Sequence, residues 1–405
     1  MRQRVLQLTG VAVTIGVVSL LMSTVAGQAP RTQDRAAQTG QALKTSWGEP
    51  DLMGIWNIDY QTPLQRPAKY AGKEFFTDAE RAELDNERRA KPQFGEKRAE
   101  RGTERDVAGA YDSAVFLTRR HTGRRTSLIV DPPDGKIPPV TPEVTRRRAE
   151  IRELQLALLQ ATETCKNNWR GCEGGKYTGV ASPRRFEPLK YYPYYNLNRM
   201  DNPEDHGLSY RCLSGMLPDL PSVISGFIQI VQTPGAVSIL HDTLQGQAFH
   251  RVIPVDGSPH LPPSVRLWWG DSRGHWEGNT LVVDITNFSG KTEFQGSTEN
   301  LHLIERWTRT GPNELELVMT LEDPTAWTKP WTVKLEYGKQ DDQYNRIYKE
   351  PRCHEGNYAL IGALAGARQE DLAFAEGRGP DPRTINTNTS TNSALDAEDL
   401  DEFEQ

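Results

Sequence analysis

The chain has 405 residues, 36% of them hydrophobic and 25% charged, with a formal net charge of −6. That length exceeds what a disulfide-stapled mini-protein needs and is enough for one large domain or two ordinary ones. The composition excludes a polytopic membrane protein, and the acidic balance leaves no domain-wide basic field for nucleic acid.

The N-terminus reads as an export signal. Arg2 and Arg4 precede an apolar run from Val11 to Met22, then small residues up to Ala26 and Gly27. The run is short for a bilayer span, which takes roughly 20 residues. The layout predicts a signal peptide over 1–26, no stable membrane span after cleavage, and a periplasmic or secreted protein. A flexible linker over 27–48 and a single β-rich domain with helical insertions over 49–376 follow. The end of the chain sets Asp381, Asp396, Glu398, Asp399, Asp401, Glu402 and Glu404 against Arg383. Residues 377–405 are expected to be a disordered acidic tail.

In chain order, Asp51–Asn57 leads into a first strand. A surface helix follows over 78–90, opened by a capping box of Thr77 and Glu80. Arg125–Asp131 alternates as a strand and is broken by Pro132-Pro133-Asp134-Gly135, with Ile137–Val140 as its expected partner. A second helix starts at Thr141 with Pro142 in its first turn. Val144, Ile151, Leu154, Leu158 and Ala161 share one of its faces.

From Phe227 short alternating runs recur: Phe227–Thr233, Ala236–Asp242, Ala248–Val255, Ser264–Trp269, Thr280–Phe288, Leu301–Thr310, Leu315–Leu321, Trp331–Lys339 and Arg346–Glu350. Turn chemistry separates them, as at Pro234-Gly235 and at Gly278-Asn279, a hairpin signal that pairs His275–Glu277 with the start of Thr280–Phe288. Closely spaced strands with short connections predict a mainly β fold, an antiparallel barrel or sandwich with a few peripheral helices. A last helix is expected over 358–374.

The four cysteines, Cys165, Cys172, Cys212 and Cys353, form an even set in an exported chain, which favours disulfides. Cys165–Cys172 is the local pair, and Cys212–Cys353 would then join the start of the β region to its end. They lack metal-site spacing, so no metal is expected at them. No cofactor and no subunit number follow from the sequence.

Several stretches together, DLMGIW from Asp51, RTSLIVDPPDG from Arg125, GDSRGHWEGNTLVV from Gly270, ENLHLIER from Glu299 and CHEGNY from Cys353, resemble a family of exported bacterial proteins. The resemblance implies an envelope-side protein and brings no activity, cofactor or catalytic assignment. Gly54-Ile55-Trp56 is similar to the G-x-W that opens lipocalin strands, in a chain far longer than a lipocalin.

No serine elbow, P-loop, dinucleotide fingerprint or H-E-x-x-H occurs, so any chemistry rests on scattered polar residues. His241 shares a strand face with Val237 and Ile239, Asp284 with Val282, and His302 with Ile304. Each is either a satisfied core residue or the polar floor of a pocket. Gly270–Gly278 packs Asp271, Arg273, His275 and Glu277 between glycines, as a tight double turn or as a loop against a ligand. His354 would be pinned beside Cys353.

The expected function is a cofactor-free lyase, isomerase or hydrolase acting on a small, partly apolar molecule. His275, His302 or His354 would be the acid or base, Asp284 or Glu277 the orienting carboxylate. His241, Asp271, Arg273, Trp268 and Trp276 are candidate binding residues. The alternative is a non-catalytic protein that binds a hydrophobic ligand in the envelope. The enzyme reading expects at least two histidines and a carboxylate to converge within hydrogen-bond reach in one concavity.

Overall fold

The computed structural model describes residues 43–58, 60–90, 121–166, 172, 176–190, 197–208, 211–213, 217–221, 227–243, 247–340, 354 and 358–385. The signal segment, most of the linker, the strand expected over 346–350 and Cys353 lie outside them.

The protein is mainly β. Among the described residues its strands are β1 (Gly54–Asn57), β2 (Tyr60–Gln61), β3 (His121–Thr122), β4 (Ile129–Asp131), β5 (Phe227–Thr233), β6 (Ala236–Thr243), β7 (Gln247–Pro254), β8 (Asp271–Glu277), β9 (Thr280–Thr286), β10 (His302–Gly311), β11 (Glu314–Glu322) and β12 (Trp331–Lys339). Nine form a nearly closed antiparallel barrel in the order β7-β6-β5-β1-β12-β11-β10-β9-β8, and β4 pairs separately with β12. The helices are α1 (Asp78–Ala90), α2 (Pro142–Leu159), the single turn α3 (Glu163–Lys166) and α4 (Tyr358–Ala375).

The odd strand number has a geometric consequence. With nine strands alternating in direction, the two ends of the sheet, β7 and β8, run the same way. No tight hairpin can join strands that run in parallel. The connection 255–270 must therefore cross from one end of the barrel to the other, and β7 and β8 meet as a seam. Gly274 of β8 lies against that seam: a Cβ there would stand 2.8 Å from Val255 Cγ1 and 2.9 Å from Ile253 Cγ2.

The alternation visible in sequence sorts side chains inward and outward. Leu281, Val283 and Ile285 of β9, Leu303 and Trp307 of β10, Leu315, Leu317, Met319 and Leu321 of β11, and Trp331, Val333 and Leu335 of β12 are buried in one core. Trp56 of β1 joins them, its indole donating to Leu52 O at 2.9 Å. One barrel end is sealed by the chain that precedes β1. Gln232 donates to Pro50 O at 3.0 Å and accepts from Leu52 N at 2.6 Å, and Arg309 donates to Asp51 O at 2.9 Å.

The peripheral helices follow their sequence signals. At α1, Thr77 N donates to Glu80 at 2.8 Å and Glu80 N to Thr77 Oγ1 at 3.3 Å, the reciprocal bonds of a capping box. At α2, Thr141 caps Val144 N, and Val144 and Leu158 are buried. Cys165 and Cys172 are disulfide-bonded, and Cys212 is also oxidised. Its expected partner lies outside the described residues.

Four expectations are corrected. Ser264–Trp269 is not a strand but part of the crossover, with one bridge from Leu267 to Phe288. Gly270–Gly278, read as a double turn or loop, is mostly β8. Ile137–Val140 forms no strand and gives only a bridge from Val140 to Trp327. Residues 377–385, expected within the disordered tail, carry a 3-10 turn over Pro382–Thr384 capped by Asp381, and Ile385 O accepts from Asn198.

Candidate functional site

Inside the barrel, the inward faces of β6 and β7 carry polar residues amid apolar ones. In the β6–β7 register His241 stands opposite Phe249, and Ile239 opposite Arg251. His241 and Arg251 are thus diagonal neighbours on one inner face. His241 is 2% exposed, and its Nδ1 lies 2.8 Å from Asp219 Oδ2, on the segment after Leu217. A carboxylate only accepts, so Nδ1 carries the proton and a neutral ring presents the Nε2 lone pair. That Nε2 is buried and has no hydrogen-bond partner among the described residues. The imidazole stacks on Phe249, with centroids 4.4 Å apart, and Phe249 stacks on Trp269 at 4.8 Å.

Arg251 pairs with Glu305 of β10 and lies 3.5 Å from Ser272 Oγ, while its Nε–H is buried without a hydrogen-bond partner among the described residues. Trp307 donates to Glu305 at 2.9 Å. Burial holds the Tyr337 hydroxyl well above the ordinary phenol range, and the negative charges of Asp219 and Glu305 add to this while Arg251 opposes it. The lumen therefore holds a neutral phenol, an oriented imidazole and a partly unsatisfied guanidinium.

A second cluster lies on the outward face of β8–β11. His302 Nε2 is 3.2 Å from Asp284 Oδ1, and His302 Nδ1 is 3.2 Å from Glu322 Oε2. His260, from the crossover, places Nε2 3.2 Å from the same Asp284 Oδ1 and Nδ1 2.8 Å from Asp271 Oδ2. Arg273 stands 3.0 Å from Asp271 Oδ1.

The structure thus brings together four residues singled out in sequence, Asp271, Arg273, Asp284 and His302. It adds His260 and Glu322, which no local pattern marked. His275 and Glu277 pair with each other at 3.1 Å on exposed surface, and Arg306 holds the Glu277 carboxyl below the ordinary range. They sit apart from the lumen, because both point outward on β8. His354 is exposed. Trp268 is half-buried and donates to Leu213 O at 3.3 Å, and the Trp276 indole N–H is buried without a hydrogen-bond partner among the described residues. His241 is the singled-out residue that enters the lumen as a titratable group. Its partner Asp219 and the Arg251–Glu305 pair lay beyond a sequence reading, since each pairing joins separate segments.

Among the described residues, no group of three or more His, Cys, Asp or Glu is arranged to hold a metal ion. Nor does any described helix have the length and apolarity to cross a membrane. No protein-family model, curated protein or solved structure matches the chain.

Proposed function

We propose that the protein is a cofactor-free lyase, isomerase or hydrolase of the cell envelope, acting on a small, partly apolar molecule at the inner face of the barrel. The observation that carries this is the His241–Asp219 pair, with a buried Nε2 that has no hydrogen-bond partner among the described residues. An imidazole oriented by a carboxylate is a general base near neutral pH.

In the reaction, His241 Nε2 takes a proton from substrate carbon or from water, and Asp219 stabilises the imidazolium that forms. Negative charge then gathers on a substrate oxygen, and the unpartnered Arg251 Nε–H is the donor on the same face. Phe249 and Trp269 supply an apolar wall. Catalysis is thereby assigned to a single histidine, His241, with its carboxylate Asp219, in place of the two converging histidines expected from the sequence, and not to His275, His302 or His354. The export-signal pattern and the Cys165–Cys172 disulfide support a periplasmic or secreted location.

The test combines two probes, α-proton exchange of acetophenone in deuterated buffer and hydrolysis of p-nitrophenyl acetate. The wild-type protein accelerates at least one, and His241→Gln lowers that rate by about 10²–10⁴-fold. Inert wild-type protein, or an unchanged rate in His241→Gln, refutes the reading. The aromatic stack favours the second reading, a ligand-binding barrel, and saturable acetophenone binding without turnover would establish it.

A further inference from the structure

We infer that the outward cluster is a proton-operated clasp that fixes the crossover 255–270 to the barrel wall. All four ring nitrogens of His260 and His302 face carboxylate oxygens, at 2.8 Å for Asp271 and 3.2 Å for Asp284 (twice) and Glu322. A neutral imidazole has one N–H and one lone pair. Two neutral rings would set two lone pairs against acid oxygens, whereas two imidazolium rings present an N–H at every position. With both rings charged, His260, His302 and Arg273 balance Asp271, Asp284 and Glu322. Loss of either ring proton leaves the face with excess negative charge and a nitrogen that repels Asp284 or its other acid.

The clasp ties four strands to one connection. His260 belongs to the crossover, Asp271 and Arg273 to β8, Asp284 to β9, His302 to β10 and Glu322 to β11. Asp271 also accepts from Leu261 N at 2.9 Å, and Arg273 donates to Pro259 O at 2.8 Å. Further along, Leu267 N donates to Asn287 O at 2.9 Å and Ser289 N to Leu267 O at 2.8 Å. The crossover ends at Trp269, the outer leaf of the stack on Phe249 and His241. Imidazoles change charge between about pH 5 and 8. Raising pH through that range therefore loosens the crossover, and with it one wall of the lumen. The clasp stands on its own geometry; only its effect on catalysis rests on the proposed function.

Hydrogen exchange of the full chain tests this in EDTA-containing buffer at about pH 5.5 and about pH 8, with rates corrected for intrinsic chemistry. Amide protection over 259–269 falls about fivefold at the higher pH, the scale of a partly exposed ion pair lost. Strands β9–β11 keep theirs. In His260→Gln/His302→Gln the crossover is loose at both pH values. Equal wild-type protection at the two pH values overturns the clasp, as does a pH response that survives in the double variant. Protection restored at the higher pH by added zinc ions also overturns it, because a metal rather than protons would then bridge the rings. None of these readouts depends on an activity, so the clasp and the proposed function fail separately.

Discussion

Arg251 of β7 and Glu305 of β10 form an ion pair inside the barrel, their side chains 6% and 1% exposed, across the seam where the sheet fails to close. Gly274 and Val283 share the inner row with Glu305, in the registers Gly274↔Val283 and Val283↔Glu305. The row meets β7 at Gly274, where the absence of a side chain admits Ile253 and Val255. The pair and the glycine together close a gap that backbone hydrogen bonds leave open.

Removing one partner strands the other charge in a low-dielectric interior. Glu305→Ala is expected to cost about 3–5 kcal/mol, measured by urea unfolding. Replacing both, as Arg251→Met/Glu305→Leu, removes the desolvation cost with the attraction. That double variant should come within about 1 kcal/mol of wild type or exceed it. A double variant as unstable as the single one would show that the pair is needed for the fold itself.

The seam makes a second, steric prediction. A Cβ at Gly274 would fall under 3.0 Å from both Val255 and Ile253, so Gly274→Ala must push β7 from β8. Overpacking of this kind costs about 1–3 kcal/mol. Gly338 of β12 is the control: the nearest atom to its added Cβ, Asn57 O, is 3.9 Å away. Gly338→Ala should change stability by well under half as much in the same unfolding series.

His206 predicts an acid-sensitive segment outside the barrel. It is 1% exposed, and burial pulls its pKa below the ordinary 6.5, with Arg211 adding to the shift and Asp205 opposing it. A base whose folded pKa is depressed contributes stability that is present above its unfolded value. That contribution is lost as pH falls through the folded value, because the unfolded chain binds the proton first. Thermal melts of wild type and His206→Met between about pH 4 and pH 8 should diverge at neutral pH and converge toward acid. Parallel curves would remove His206 as a source of acid sensitivity.

Most strands were legible because their inner positions are apolar. Phe227–Thr233 and Trp331–Lys339 match β5 and β12 end to end, each with alternating burial. Only the end of β8, His275–Glu277, was legible, through its Gly278-Asn279 hairpin, because the strand's inner positions are Ser272, Gly274 and Trp276. Two small residues there make room for Arg251 and the β7 side chains, so no apolar face announces the strand. Ser264–Trp269 shows the opposite case: it alternates in sequence yet spans the seam as a connection, since β7 and β8 run parallel.

The sequence by itself determined the mainly β class, the helix caps, the local disulfide and the inward face on which His241 lies. These depend on spacing within one segment, where a period of two or a residue three positions away is enough. Tertiary structure decided which groups meet: Asp219 with His241, Arg251 with Glu305, and His260 with His302 around Asp284. Such contacts arise because nine strands wrap into a nearly closed sheet, which brings together residues tens of positions apart whose local surroundings give no sign of one another.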